Sequence, residues 1–170
     1  ARFKNVDLLL AAYRRVRAAH PQARLVMAGD FSARPDFARA AQAEGVILPG
    51  RVEYISLPAY YQMAAIYVHS SRYEGVARVL MEALAAGTAV VATDHLGASE
   101  VVRPGETGLL TLQTPDALAE AVIALLDNPE RARAMGAAGQ ADVVERFNYE
   151  RQLDWVAETY RETLRIAEQP

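Results

Sequence analysis

The sequence contains no cysteine among its 170 residues. That absence excludes a disulfide scaffold, a thiolate metal site and a thiol nucleophile. A reducing cytosolic compartment is permitted. Long apolar runs are also missing. The longest span about ten residues, against the ~20 a bilayer-crossing helix needs. Asp7 interrupts the first apolar stretch, so no signal peptide is expected there. Net charge is scarce: 18 basic and 21 acidic residues leave −3, and no nucleic-acid footprint is expected. Lysine is nearly absent too, Lys4 standing alone among arginines.

A hydrophobic content of 52% with 23% charged residues describes a globular chain. At this length it can bury roughly 70% of its unfolded surface without metal or disulfide. Residues 1–85 carry 11 basic and 7 acidic side chains, and residues 86–170 carry 7 and 14. The first half is therefore +4, which suits either an anionic ligand or a plain solvated face.

Apolar positions Val6, Leu9, Leu10, Tyr13 and Val16 predict a helix over 5–19, stopped by Pro21. Short apolar runs predict strands at Ala23–Ala28, Val46–Leu48, Ile66–Val68, Ala89–Ala92 and from Gly108. Helices are predicted over 35–44, over 58–65 with Ser56 as cap, and over 78–86 ending at Gly87. Thr114-Pro115-Asp116 and Asn128-Pro129-Glu130 each combine a cap, a proline and an acid, which marks a helix start. Asn148 caps a last helix with the stripe Leu153, Val156, Ala157, Tyr160 and Leu164. Solid apolar strands alternating with helices predict an α/β fold, a doubly wound parallel sheet with helices on both faces. Such sheets bind ligands at the carboxyl ends of their strands, which directs attention to the loops after Ala28, Leu48, Val68 and Ala92.

The loop after Val68 holds the most chemistry. Gly75 lets backbone approach a ligand, and the following helix start offers amides from about Val76 to Val79, with Arg78 adding charge. That pattern suits a phosphate. Glu74 beside it and Glu82 eight positions on can accept hydrogen bonds from hydroxyls. By residue type alone, Glu82 reads as a solvated helix position, since two glutamates eight apart are common by chance. His20, His69 and His95 are not at metal spacing, and no metal site is expected. His69 ends a strand near the loop and reads as a core or surface histidine, and His95 follows the fourth strand, where a buried or surface role and contact with a ligand are both open to it. The basic face of Tyr13, Arg14, Arg15 and Arg17 is open to membrane attachment or to solvent.

The string EGVARVLMEALAAGTAVVATD with HLGASEVVRPGETGLL closely resembles the signature of retaining GT-B glycosyltransferases of group 1. That family carries Glu-Gly-Phe-Gly, a second Glu eight residues on, a Gly-x-Pro-Val-Val-Ala run and a Gly-Gly-x-x-Glu loop. Lys4-Asn5 is similar to its Lys-Gly segment, Leu25–Asp30 to its strand ending Gly-Asp-Gly, Gly50-Arg51-Val52 to its Gly-x-Val loop, and Arg131–Phe147 to its late helix. The resemblance implies a Rossmann-like domain equal to half of a GT-B enzyme over 1–147, its first strand truncated. It implies that the helix over 148–170 packs back toward a missing N-terminal domain.

It also implies a nucleotide-diphosphate sugar as donor and no separate cofactor. Lys4 would contact the diphosphate. Gly75, Val76, Ala77, Arg78 and Val79 would cradle sugar and diphosphate. Glu74 would hold sugar hydroxyls and Glu82 the ribose. Arg51 would belong to the donor-binding set, the backbone around Val52 would meet the base, and Gly29 would let the chain pass close to the nucleotide. Lys4 and the helix start would carry the leaving-group charge without a metal. The acceptor would belong to the missing domain, with membrane contact by the whole enzyme and self-association of this piece as further expectations. Val76 and Ala77 replace the family's Phe and Gly, Ser70 and Ala89 its prolines, and Leu96 its first loop glycine. A β-carbon at Ala77 is expected to narrow the sugar pocket or to shift its backbone. A non-catalytic binding domain, an epimerase and a phosphorylase are the alternatives. The opening inside a family motif implies a segment cut from a longer chain.

Overall fold

The computed structural model describes residues 2–167. Three strands, β1 (Ile66–His69), β2 (Ala89–Thr93) and β3 (Gly108–Thr111), form a parallel sheet in that order. Val68 pairs with Val91, and Val91 with Leu109. The helices are α1 (Val6–Ala19), α2 (Pro35–Ala43), α3 (Leu57–Met63), α4 (Arg78–Ala85), α5 (Leu96–Ser99), α6 (Pro115–Leu126), α7 (Pro129–Arg146) and α8 (Tyr149–Ala167).

β2 sits centrally, and all five of its residues are buried. Its side chains alternate between two cores, as strand geometry requires. Ala89 and Val91 join Leu8, Ala12, Leu118 and Val122 from α1 and α6. Val90 and Ala92 join Tyr61, Leu80 and Leu84 from α3 and α4. The sheet is thus covered on both faces, as expected. Helix α7 contributes Met135 to the first core and Val143 to the second. Near its end, buried Asp142 pairs with Arg103 at 2.8 Å and Arg146 at 2.7 Å. Arg146 also donates to the Glu100 carbonyl at 2.5 Å, tying α7 to the end of α5.

The two strands expected first are reduced to one parallel bridge, Val26 with Ile47. Met27 N–H donates to Ile47 O and Ile47 N–H to Leu25 O, both at 2.9 Å. Left-handed Gly45 and Gly50 bracket the second segment, so three residues cannot extend the ladder. Ser56 is no cap. It lies in a 3-10 turn over Tyr54–Ser56 that runs directly into α3, and its backbone is already helical. Thr114 and Asn128 do cap, accepting from the amides of Ala117 and Arg131. Asn148 accepts from Arg151 at 3.1 Å.

On α8, Leu153, Trp155, Val156, Tyr160 and Leu164 are exposed. The basic face of α1 is committed internally: Tyr13 is buried, Arg14 and Arg17 bond Glu44, and Arg15 pairs with Asp116.

Candidate functional site

The site assembles at the carboxyl ends of β1 and β2. Lys4 ends a 3-10 turn, and Asn5 after it adopts a left-handed backbone with φ 48°. Asn is among the side chains that tolerate that region best, which explains how it stands where the family has glycine. Two bonds fasten this segment to the loop after β1. Ser70 Oγ donates to Lys4 O at 2.9 Å, and Arg72 N–H donates to Phe3 O at 2.8 Å. The serine in place of proline therefore has a task, since its hydroxyl places Lys4. Thr93 Oγ1 donates to Ser71 O at 2.6 Å and couples the β1 and β2 loops.

Glu74 is the hub. Lys4 Nζ donates to its Oε1 at 2.5 Å, and Ser71 Oγ donates to the same oxygen at 2.6 Å. His69 Nε2 lies 3.3 Å from Oε1 without hydrogen-bond geometry. Burial pushes the Glu74 carboxyl up, but the hydrogen bonds from Lys4 and Ser71 outweigh it and hold the group below the usual range. Burial drives His69 down to about 4, opposed by Glu74 and aided by Lys4. Burial also lowers His95.

Helix α4 opens at Ala77 with no side-chain cap. Among the described residues, the amides of Gly75, Val76, Ala77 and Val79 have no acceptor. The Arg78 amide, expected to be free, is taken by Val76 O at 3.0 Å because the chain turns tightly there. Arg78 and Val76 side chains are exposed. Ala77 is fully buried among Leu80, Ala83, Ala98 and Val101. Its β-carbon thus packs into the core, correcting the expectation that it narrows the pocket. Glu82, on the same helix, receives the Tyr61 hydroxyl at 2.9 Å. Burial and the nearby acids push Tyr61 well above the usual phenol range, so it stays a donor.

Gly97 in α5 presses on the Glu74 loop. A β-carbon there would lie 2.5 Å from Glu74 O and 2.6 Å from Gly75 O. Gly29 and Arg51 line a separate hollow of about 450 Å³ with Asp30, Phe31, Leu48 and Gly50. Gly29 N–H donates to Gly50 O at 2.8 Å, and Arg51 lies 3.4 Å from Asp30. Val52, half-buried, follows it. This hollow is not lined by Lys4, Glu74 or Glu82. The structure thus joins Lys4 to Glu74, with the acceptor-free amides of 75–77 next in the chain, sets Glu82 further along α4, and leaves Gly29 and Arg51 at a second location. Tyr61, Ser70 and Ser71 had no assigned role in the sequence. Tyr61 lies 21 positions from Glu82, beyond any local pattern.

Among the described residues, no group of three or more His, Asp or Glu is placed to hold a metal ion, and no helix is long and apolar enough to cross a membrane.

Residues 1–142 match the family described as "Glycosyl transferases group 1", and the chain belongs to that family. A relative from Corynebacterium glutamicum, named GDP-mannose-dependent monoacylated alpha-(1-6)-phosphatidylinositol monomannoside mannosyltransferase, is 36% identical over 157 residues. The alignment covers 86% of this chain and 41% of that protein. Alpha-maltose-1-phosphate synthase of Mycolicibacterium smegmatis is 41% identical over 105 residues, covering 58% of this chain and 27% of its own length. Among solved structures, sucrose-phosphate synthase from Thermosynechococcus elongatus superposes with a TM-score of 0.85 at 31% identity, covering 98% of this chain and 44% of that one. Anabaena HepE in complex with UDP and glucose superposes at 0.83 with 23% identity, covering 95% and 46%, which shows a shared fold. The chain spans less than half the length of each of these proteins.

Proposed function

We propose that this chain is the nucleotide-sugar-binding half of a retaining, metal-independent glycosyltransferase. It would move a hexosyl group from a nucleotide-diphosphate sugar to an acceptor held by a domain outside the chain. Carrying the reading is one arrangement: Lys4, Glu74 and the free amides after Gly75 meet at the carboxyl end of β1. A cation and unpaired amides suit a diphosphate, and a carboxylate suits hydroxyls. The names of relatives support the donor class, since one is GDP-mannose-dependent and a structural neighbour is described with UDP and glucose.

In this mechanism Lys4 leaves Glu74 for the diphosphate and stabilises charge on the departing group, together with the amides of Gly75–Ala77. Glu74, still held by Ser71, turns to sugar hydroxyls. Glu82, oriented by Tyr61, takes the ribose. Gly29, Arg51 and Val52 lie nearer the base. The work is cytoplasmic, and envelope glycan assembly is the setting that the phosphatidylinositol-directed relative suggests.

A calorimetric panel of UDP, GDP, ADP and their sugars tests the reading. One nucleoside diphosphate should bind, and Glu82→Ala should weaken it by ~1–3 kcal/mol through lost ribose hydrogen bonds. Binding by none of the panel, or unchanged affinity in that variant, refutes it.

A further inference from the structure

The donor-binding reading leaves two buried imidazoles behind Glu74 without a task. His69 is 4% exposed and His95 9%. Their ring centroids lie 5.6 Å apart. Neither ring nitrogen of His95 has a hydrogen-bond partner, and His69 Nε2 has none either. Buried polar atoms are rarely left so, and each unpaired one asks for an explanation.

The surrounding hydroxyl protons are already committed. Thr93 donates to Ser71 O, Ser71 to Glu74 and Ser70 to Lys4 O. The fold therefore supplies His95 with nothing, and since both its ring nitrogens are closed to solvent, a hydroxyl reaches them only when the ring or the adjoining Glu74 loop shifts. The contact of Gly97 with Glu74 O and Gly75 O fixes the start of α5 against the Glu74 loop, and His95 is the residue immediately before α5. The charges acting on its ring are those of Glu74, Asp94 and Lys4.

We propose that His95 is a sugar-binding residue whose imidazole exchanges a hydrogen bond with a hydroxyl of the donor's hexosyl ring, beside the hydroxyls held by Glu74. Burial keeps this ring neutral, so it is a poor counter-ion for phosphate and a good partner for a hydroxyl, which both donates and accepts. His69 backs Glu74 from the interior. This assignment rests on the donor-binding reading above.

Calorimetry with the nucleoside diphosphate selected by the panel, and with its sugar nucleotide, tests it. His95→Phe should bind the nucleoside diphosphate within about twofold of the parent and the sugar nucleotide about tenfold more weakly. His95→Gln, which keeps a donor and an acceptor, should recover part of that loss. In the unsubstituted chain, the His95 ring ¹⁵N resonances should shift on adding sugar nucleotide and stay in place on adding nucleoside diphosphate. Equal losses for both ligands, no loss for either, or silent ring resonances overturn the assignment while leaving the donor-binding reading intact. Failure of the unsubstituted chain to bind any nucleotide overturns both.

Discussion

Two glycines at one site lead to opposite expectations. At Gly97 an added β-carbon would stand 2.5 Å from Glu74 O and 2.6 Å from Gly75 O, where ordinary contact begins at 3.4 Å. One side must withdraw by about 0.9 Å, and both obstacles are backbone. Overpacking of this kind costs about 1–3 kcal/mol. The displaced segment carries the Glu74 carboxylate and the amides after it, so Gly97→Ala should also weaken sugar-nucleotide binding by roughly tenfold to a hundredfold. At Gly75 nothing lies within 4 Å of the corresponding β-carbon, and its φ is not in the left-handed range. Gly75→Ala should therefore leave stability within about 0.5 kcal/mol. Its methyl nevertheless stands in the open space beside the free amides, so affinity should fall at least about tenfold.

Thermal unfolding followed by circular dichroism gives the stability half, and calorimetric titration the binding half. The pair separates a glycine the fold needs from a glycine the ligand needs. Normal affinity in Gly75→Ala would mean that no ligand approaches that backbone. Unchanged melting and affinity in Gly97→Ala would mean that α5 does not set the position of Glu74. Either result refutes the reasoning.

Tyr61→Phe removes the donor to Glu82 and a hydrogen bond to a charged group, about 1.5–3 kcal/mol. The melting temperature should fall several degrees, and nucleoside diphosphate affinity severalfold, as measured by the same two methods. Acidification should destabilise the fold. Burial lowers His69 from 6.5 to about 4, so the unfolded chain binds more protons in that window. The stability conferred by the neutral ring is complete above pH 6.5 and is lost progressively as pH falls toward 4. His95 shifts in the same direction, while Glu74 contributes at lower pH. Denaturant titration of His69→Leu should show a flatter pH dependence between 6.5 and 5. An unchanged slope would contradict burial as the cause.

Strands β1, β2 and β3 were legible because solid apolar runs mark a sheet covered on both faces. The caps Thr114, Asn128 and Asn148 were legible because capping is local chemistry. The segments at Ala23 and Val46 were misjudged, since an apolar run does not reveal how many partners pair with it. Helix α5 went unseen because Leu96-Gly97-Ala98-Ser99 has weak helical propensity and a single turn has no periodicity. At the site, Lys4, Glu74 and Gly75 could be named from motif spacing. The hydroxyls that aim them could not. Ser70 reaches across 66 positions to Lys4, and Tyr61 across 21 to Glu82. Nothing local in a sequence signals such pairs. The burial of Ala77 was equally hidden, because whether a β-carbon meets ligand or core depends on the turn that precedes α4.

The Lys4–Glu74 contact bears on how such a site can be both stable and available. In the ligand-free chain the cation and the carboxylate satisfy each other at 2.5 Å, so neither opposes folding. The lysine side chain is 53% exposed, and a pair so open to solvent contributes about 1 kcal/mol or less. A diphosphate offering charge to both Lys4 and the 75–77 amides can therefore displace it at small cost. Glu74 is 17% exposed and keeps the Ser71 bond after Lys4 departs, so its carboxylate remains aimed while one oxygen regains capacity for hydroxyls. On the proposed reading, binding the phosphates and freeing the Glu74 carboxylate for sugar hydroxyls are one event. The weakness of the pair is what permits that coupling, since a deeply buried version would hold Lys4 away from its ligand.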